Sequence, residues 1–394
     1  MRIAVARSGR GMSLPISPVL LLAQGAHHGG ELVTVGQARK DSGARPPGLA
    51  LDWGHNHAEG VDALGKAAGP LMSPILAHPG ADTDRYGKEK FGPHKAAAPW
   101  TQRAVPKTVE EWDLTIRESV EAQSRLPLDA VMLPTRPITG TDWPDDFQVL
   151  ADVARRAWTT LNLGSAPFIT LKVSERWVTE RKMRRTLLNQ LTDLPPDFNV
   201  AIDVSWNSMA SYTDESALHD LATIVSALAN DNRKVLLLES GLIGWLSIAW
   251  GGWGFSAGLS NASWFRQNAV IRRAKGQPGP PRIKRYFEKQ LLNRVRQPQH
   301  VRLKAQPGYQ ACGCPSCVQL GPDSPNPWDF LEADKHALFS LAALTDEISA
   351  PRLAERANRV RKRLDDAIAY NKSLPFELPG DSKPVHLEAW RSVA

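Results

Sequence analysis

Cysteine is nearly missing from this chain of 394 residues: it has three, all within "ACGCPSC", at Cys312, Cys314 and Cys317. An odd number cannot pair off completely within one chain, and so tight a cluster is a poor disulfide framework. The cluster therefore argues against a disulfide-stapled fold and for a metal. Long apolar runs are also missing. No stretch reaches the ~18 apolar residues that a membrane-spanning helix needs. No Gly-x-Gly-x-x-Gly follows a strand-like run, so a dinucleotide-binding reading gets no help. Repeats and low-complexity tracts are absent. The opening "MRIAVARSGRGMSLPISPVLLLAQGA" has the basic start and short apolar run of a signal peptide, but Pro15 and Pro18 interrupt it. Clustered unpaired thiols suit a reducing compartment, so the sequence favours a cytoplasmic location.

What is present is ordinary in bulk and uneven in detail. A hydrophobic content of 42% supports a sizeable core. Between Arg266 and Lys304 stand twelve Lys/Arg against a single acid, Glu288; that belt carries +11 of an overall +7, leaving the rest of the chain at −4. With Trp264, Tyr286 and Phe287 interleaved, the belt points to phosphate binding and a polyanionic partner, against the plainer reading of a solvated face.

From Thr108 onward the pattern alternates. "TVEEWDLTIRESVEAQ" opens with a capping box, Thr108 three residues before Glu111, and continues at helical spacing. Strand-like runs follow: "DAVMLPTRP", "PFITLKVS", "FNVAIDVSW", "KVLLLES" and "GWGFSAG", separated by helical stretches such as "DFQVLADVARRAWTTL", "WVTERKMRRTLLNQL" and "ESALHDLATIVSALA". Alternation of this kind implies right-handed crossovers and a parallel sheet. With "ELVTVG", "GLALDWG" and "LMSPILA" the count reaches about eight, the number that closes a (β/α)8 TIM barrel; a doubly wound open sheet is the alternative. "GQARKDSGARPPG" and "KEKFGPHKAAAPWTQRAVP" read as loops. After the last strand, "RIKRYFEKQLLNRVR" reads as a basic helix, "HVRLKAQ" as a short strand, and "WDFLEADKHALFSLAALTDEI" and "RLAERANRVRKRLDDAIAY" as two long helices. The expected division is a barrel over 1–262 and a basic, zinc-binding helical subdomain over 263–394.

Cys-x-Cys-x-x-Cys offers three thiolates on one turn, with Gly313 and Pro315 between them, and zinc asks for a fourth ligand. His336, early in a helix, is the leading candidate; His300, Asp323 and Asp329 are alternatives, and three buried small residues without metal is the plainer reading. The spacing departs from iron–sulfur runs. Four filled positions would make the ion structural.

A Cys-x-Cys-x-x-Cys with a later helical histidine, just after a (β/α)8 barrel, resembles the zinc subdomain of the tRNA-guanine transglycosylase family, which includes relatives that insert 7-deazaguanines into DNA. The likeness rests on "CGCPSC" and "KHALFSLAALTDEI", about a tenth of the chain, and matches Cys312, Cys314, Cys317 and His336 to the ligands of a structural Zn2+. It implies exchange of guanine for a 7-deazaguanine base in DNA or tRNA. One carboxylate would attack the ribose anomeric carbon and a second group would shuttle the proton. Barrel strand ends supply three acids, Asp52 in "LALDWG", Asp203 in "VAIDVSW" and Glu239 in "LLLESG". Asp52, opening an Asp-x-Gly turn, is expected as acid/base and Asp203 as nucleophile. Glu239, Ser256, Arg272, Arg273, Lys284 and Arg285 are expected to bind substrate. The sequence departs from the family at the last strand, where Ser256 stands in place of an aspartate. "DAVMLPTR" resembles the family's nucleophile segment, but Asp129 opens its strand and precedes the cysteines by far, so the likeness reads as chance. A nucleic-acid-binding relative without catalysis is the alternative, and an unrelated barrel hydrolase a third reading. "HNH" at His55–His57 reads as a solvated loop with a lesser claim to ligand binding. The tryptophans of "GWLSIAWGGWGF" read chiefly as core, with a base-stacking role as the sharper alternative.

Overall fold

A parallel strand covered on both faces is apolar along its length, which explains "VLLLA" near the start of the chain. The computed structural model describes residues 14–24, 28–53, 58–78, 106–136, 138, 140–160, 165–207, 213–259, 284–321 and 328–394. Strands and helices alternate as β1 (Val19–Ala23), α1 (Gly29–Asp41), β2 (Gly48–Asp52), α2 (Ala58–Ala68), β3 (Ile75–His78), α3 (Val109–Gln123), β4 (Met132–Leu133) and α4 (Phe147–Thr160). They continue through β5 (Phe168–Ser174), α5 (Glu175–Thr179), α6 (Arg181–Thr192), β6 (Asn199–Ser205), α7 (Glu215–Asn230), β7 (Val235–Leu237), α8 (Gly241–Ser247) and β8 (Gly254–Gly258). All eight strands are parallel, in the order β3-β2-β1-β8-β7-β6-β5-β4.

This is a nearly closed (β/α)8 barrel. Its seam lies between β3 and β4, and Asp129 bridges it. The Asp129 backbone N–H donates to the Ile75 carbonyl (2.9 Å), and its carboxylate accepts the Ile75 N–H (2.6 Å). The aspartate that resembles a nucleophile therefore works at the opening end of its strand, away from the mouth.

Strand phase sorts the side chains. Leu20, Leu22, Leu49, Leu51, Ile169 and Ile202 face the surrounding helices, in one core with Trp112, Leu187 and Leu221. The alternate positions turn inward, where Leu21, Ala50, Leu76, Met132, Phe168, Ala201 and Leu236 form an apolar floor. Two residues further along, the inward position becomes polar: Ala50 leads to Asp52, Leu76 to His78, Ala201 to Asp203 and Gly254 to Ser256. Lys172, buried on β5, is the register partner of Asp203. The apolar floor fixes the barrel, and the polar upper layer faces its mouth.

Beyond β8 the described chain forms an antiparallel hairpin, β9 (Tyr286–Glu288) with β10 (Asn293–Val295), then α9 (Gln297–Lys304) and α10 (Pro315–Leu320). It returns as α11 (Phe330–Ile348), α12 (Leu353–Ser373) and α13 (Leu387–Val393). α11 packs along β1 and α1: Leu338, Leu341 and Leu344 join the main core, Lys335 reaches Glu31 (3.1 Å), and Arg39 pairs with Asp346. α11 thus covers the barrel after β8, and residues 284–321 project between the two.

Several expectations change. "ELVTVG" is part of α1, where Leu32, Val35, Gly36 and Arg39 are buried at helical spacing. The missing strand is β1, the run that outlined a signal peptide. "WVTERKMRRTLLNQL" is two helices, broken at Glu180 (φ −83°, ψ 115°). "RIKRYFEKQLLNRVR" is not a helix, since its described part forms the β9–β10 hairpin with Leu292 at φ 48°. "HVRLKAQ" lies largely in α9, with Pro298 in the first helical turn. The capping box at Thr108 and Glu111 is present as read. Among the described residues no helix is long and apolar enough to cross a membrane.

Candidate metal centre and barrel mouth

Three elements meet at the cysteines. Cys314 caps α10, Pro315 begins it and Cys317 lies within its first turn, while His336 projects from the second turn of α11. The ligand atoms of Cys312, Cys314, Cys317 and His336 lie within 4.8 Å of one another. Around tetrahedral zinc, thiolate–thiolate edges would be about 3.8 Å and thiolate–imidazole edges about 3.6 Å. The corresponding separations here are 3.5 Å for Cys314–Cys317, and 3.4 and 3.1 Å from His336 Nδ1 to Cys314 and Cys317. Cys314, Cys317 and His336 thus lie slightly closer together than tetrahedral edges require, and with Cys312 the four could hold a metal ion.

Surrounding groups hold the ligands in register. His336 Nε2–H donates to the Phe287 carbonyl (2.9 Å), which turns the Nδ1 lone pair toward the sulfurs. Tyr286 stacks on His336 (centroids 4.0 Å apart, 17° between planes), and its hydroxyl lies 3.2 Å from Cys317 Sγ. Hydrogen bonds from Cys314 and Cys317 pull the Cys312 thiol far below its ordinary range, while bonds to Cys312 and Cys317 push Cys314 far above it. Burial lowers the His336 value, but hydrogen bonds to Cys312 and Cys317 outweigh it and raise it to about 9.

The other candidate ligands have different work. His300 is buried, with Nδ1 2.5 Å from Glu288 Oε1, and Asp329 caps α11 by accepting the Leu331 and Glu332 N–H groups (2.8 and 3.0 Å). Asp323 lies outside the described residues.

The second site is at the mouth of the barrel. Asp52, Asp203, Glu239 and Ser256, singled out separately in sequence, line one small cavity that opens to solvent. Gln24 and His78 line it too, and sequence reasoning passed over both. The Asp52 N–H donates to Gln24 Oε1 (3.1 Å), and Asp52 Oδ1 lies 3.9 Å from His78 Nδ1. Across the cavity Ser256 Oγ accepts the Glu239 N–H (2.8 Å). Asp52 is 8% exposed and Asp203 1%, whereas Glu239 is partly exposed. The arrangement offers an imidazole–carboxylate pair for moving a proton, facing two further carboxylates. The signal for His78 was its phase, two residues beyond the inward Leu76.

Lys284 and Arg285 are not at this cavity. They precede β9 on the metal side, with Lys284 Nζ 4.8 Å from the Phe330 ring centroid. Further along the basic belt, Lys289 pairs with Glu347 (2.9 Å), Arg294 with Asp334 (3.2 Å), and Arg302 lies over Phe376 (3.9 Å). Part of the belt is thus engaged in structure. Arg272, Arg273, Trp264 and His55–His57 lie outside the described residues, as does most of the loop near Lys88. Trp245, Trp250 and Trp253 are all core, and their indole N–H groups donate to the Leu344, Val393 and Pro15 carbonyls.

No protein-family profile matches the chain, and no curated protein sequence matches it.

Proposed function

We propose that this chain exchanges a base at a nucleoside, a transglycosylase of the tRNA-guanine type acting on DNA or tRNA with a 7-deazaguanine as the entering base. One observation carries the reading: a Cys3His cluster inserted between the last barrel strand and its covering helix, on a barrel whose mouth gathers three acids and a histidine. The Asp52–His78 pair would give a proton to the leaving base and take one from the entering base. A carboxylate of the opposite wall, Asp203 or Glu239, would attack the anomeric carbon. Zinc is the metal this donor set suits, because three thiolates and an imidazole complete its tetrahedron and leave no open position. It would tie α10 to α11 and stand apart from the reaction. The basic surface beside it would hold the polyanion, in a cytoplasmic setting where the thiols stay reduced.

The test is incubation of the zinc-loaded chain with radiolabelled guanine and either bulk tRNA or duplex DNA. Label should enter one polymer, and Asp52→Ala should abolish its entry. The alternative, a nucleic-acid-binding relative without catalysis, draws on Ser256. The β8 end carries no carboxylate, and its hydroxyl is engaged by Glu239. Salt-sensitive binding without label entry, for guanine and for a 7-deazaguanine alike, would favour that alternative.

A further inference from the structure

We infer that Glu239, rather than Asp203, is the carboxylate presented to the substrate and the one that forms the covalent intermediate. This rests on the base-exchange reading above. Glu239 follows β7 with φ 45°, in the left-handed region that a side chain with a Cβ rarely adopts. The surroundings over-determine that conformation. Ser256 takes the Glu239 N–H on its hydroxyl (2.8 Å) and the Ser240 N–H on its carbonyl (3.1 Å), while the Ser240 hydroxyl donates to the Leu237 carbonyl (3.0 Å). Gly241 continues the turn at φ 50°. Gly244 then lets α8 settle on β8, where a Cβ would come within 2.3 Å of both Phe255 Cβ and Ser240 Oγ. Ser256, standing where the resemblance implies a carboxylate, thus holds the backbone of one that arrives from the neighbouring strand. Backbone strain of this kind persists where a site depends on it.

Accessibility separates the two acids. A nucleophile must reach the anomeric carbon, and Asp203 is 1% exposed beside its register partner Lys172, while Glu239 is partly exposed on the same cavity wall. In the reaction, a Glu239 carboxylate oxygen bonds to C1′ as the C1′–N bond breaks. The electron pair leaves with the old base, which takes a proton from the Asp52–His78 pair. The entering base loses a proton to that pair, its nitrogen bonds to C1′, and the ester bond to Glu239 breaks. The carboxylate is regenerated, with no net change of charge or oxidation state.

The two acids fall on different tryptic peptides. Residues 235–266 contain Glu239 as their sole acid, and residues 186–233 contain Asp203. The experiment incubates the zinc-loaded full chain with tRNA or duplex DNA without free base, denatures it in acid, digests nucleic acid and protein, and maps the sugar adduct by mass spectrometry. Guanine exchange is measured in parallel for Glu239→Gln, Glu239→Asp and Asp203→Asn, each checked for zinc content and melting temperature. An adduct on peptide 235–266, with exchange falling at least 1,000-fold in Glu239→Gln and less in Glu239→Asp, supports the assignment. An adduct on peptide 186–233, or Glu239→Gln exchanging within twofold of the unaltered chain, overturns it and leaves the base-exchange reading standing. Neither adduct nor exchange, with guanine or a 7-deazaguanine, overturns both. Should Glu239→Gln fail to fold, the location of the adduct in the unaltered chain still decides.

Discussion

The metal cluster and the barrel mouth are built in opposite ways. The cluster takes three of its four ligands from six consecutive positions and the fourth from one helix, and every ligand is buried or partly buried and locally satisfied. The mouth takes single residues from six strand ends scattered between Gln24 and Ser256, and it opens to solvent. A cluster close in sequence closes with little loop entropy and announces itself in the residues. A mouth exists only once the barrel has closed, and it keeps strain and buried charge that a purely structural site would shed.

Chelation should break the comparison most severely. With zinc in the Cys312, Cys314, Cys317 and His336 cluster, as proposed, chelation would remove the ion joining α10 to α11, and structural zinc contributes on the order of 10 kcal/mol even in small finger peptides. Hydrogen exchange should show the β9–β10 hairpin and α10 losing protection while β1–β8 keep theirs. The pH dependence has two signs. In the metal-free chain the raised value of His336, about 9, favours the fold below the ordinary ~6.5, and that support is lost as pH climbs through about 9. With metal bound, protons compete for the ligands, so acid releases the ion.

The acid side carries a second, smaller term at the C-terminal end of the chain. His386 is buried against Trp390 with Nε2 3.1 Å from the Leu292 carbonyl, and burial lowers its value to about 4 despite that bond. The unfolded chain takes up the proton first. Stability present above ~6.5 is therefore lost as pH falls toward 4, by about 3 kcal/mol at most. Denaturant unfolding of the unaltered chain and of His386→Phe should give curves whose slopes diverge in that window and run parallel above it.

At the seam, Asp129→Leu removes the acceptor of the Ile75 N–H and should cost ~1–3 kcal/mol in denaturant unfolding, with little change in ligand binding at the mouth. Asp129→Asn keeps an acceptor and should cost less. The smallest effect sharpens the comparison instead of breaking it. Glu239→Gly relieves a left-handed backbone and should raise the melting temperature by ~1–2 °C while abolishing base exchange.

Legibility followed the same division. The capping box at Thr108 and Glu111 and the cysteine spacing are local and were readable, whereas segments whose state is set by what packs on them were not. "ELVTVG" carries β-branched residues, yet its burial follows helical spacing against Met72 and α11. Tyr286 and Phe287 look helical beside Leu291, but they pair with β10, where Tyr286 stacks on His336 and the Phe287 carbonyl accepts the His336 Nε2–H. Pro298, in the first turn of α9, was a helix-start signal that went unused. At the mouth, the acids were legible as strand-end residues. His78, Gln24 and Lys172 emerge only when strand phase and register are known, because sequence does not say which alternate face turns inward.

The central claim is that the mouth, and not the metal side, receives the base. A crystal structure of the zinc-loaded chain soaked with guanine tests it most directly. Density for the base between the Asp52–His78 pair and Glu239, with the Cys3His tetrahedron complete, is the predicted result. Guanine seated elsewhere, or a mouth left without it at a concentration that saturates exchange, would contradict the account.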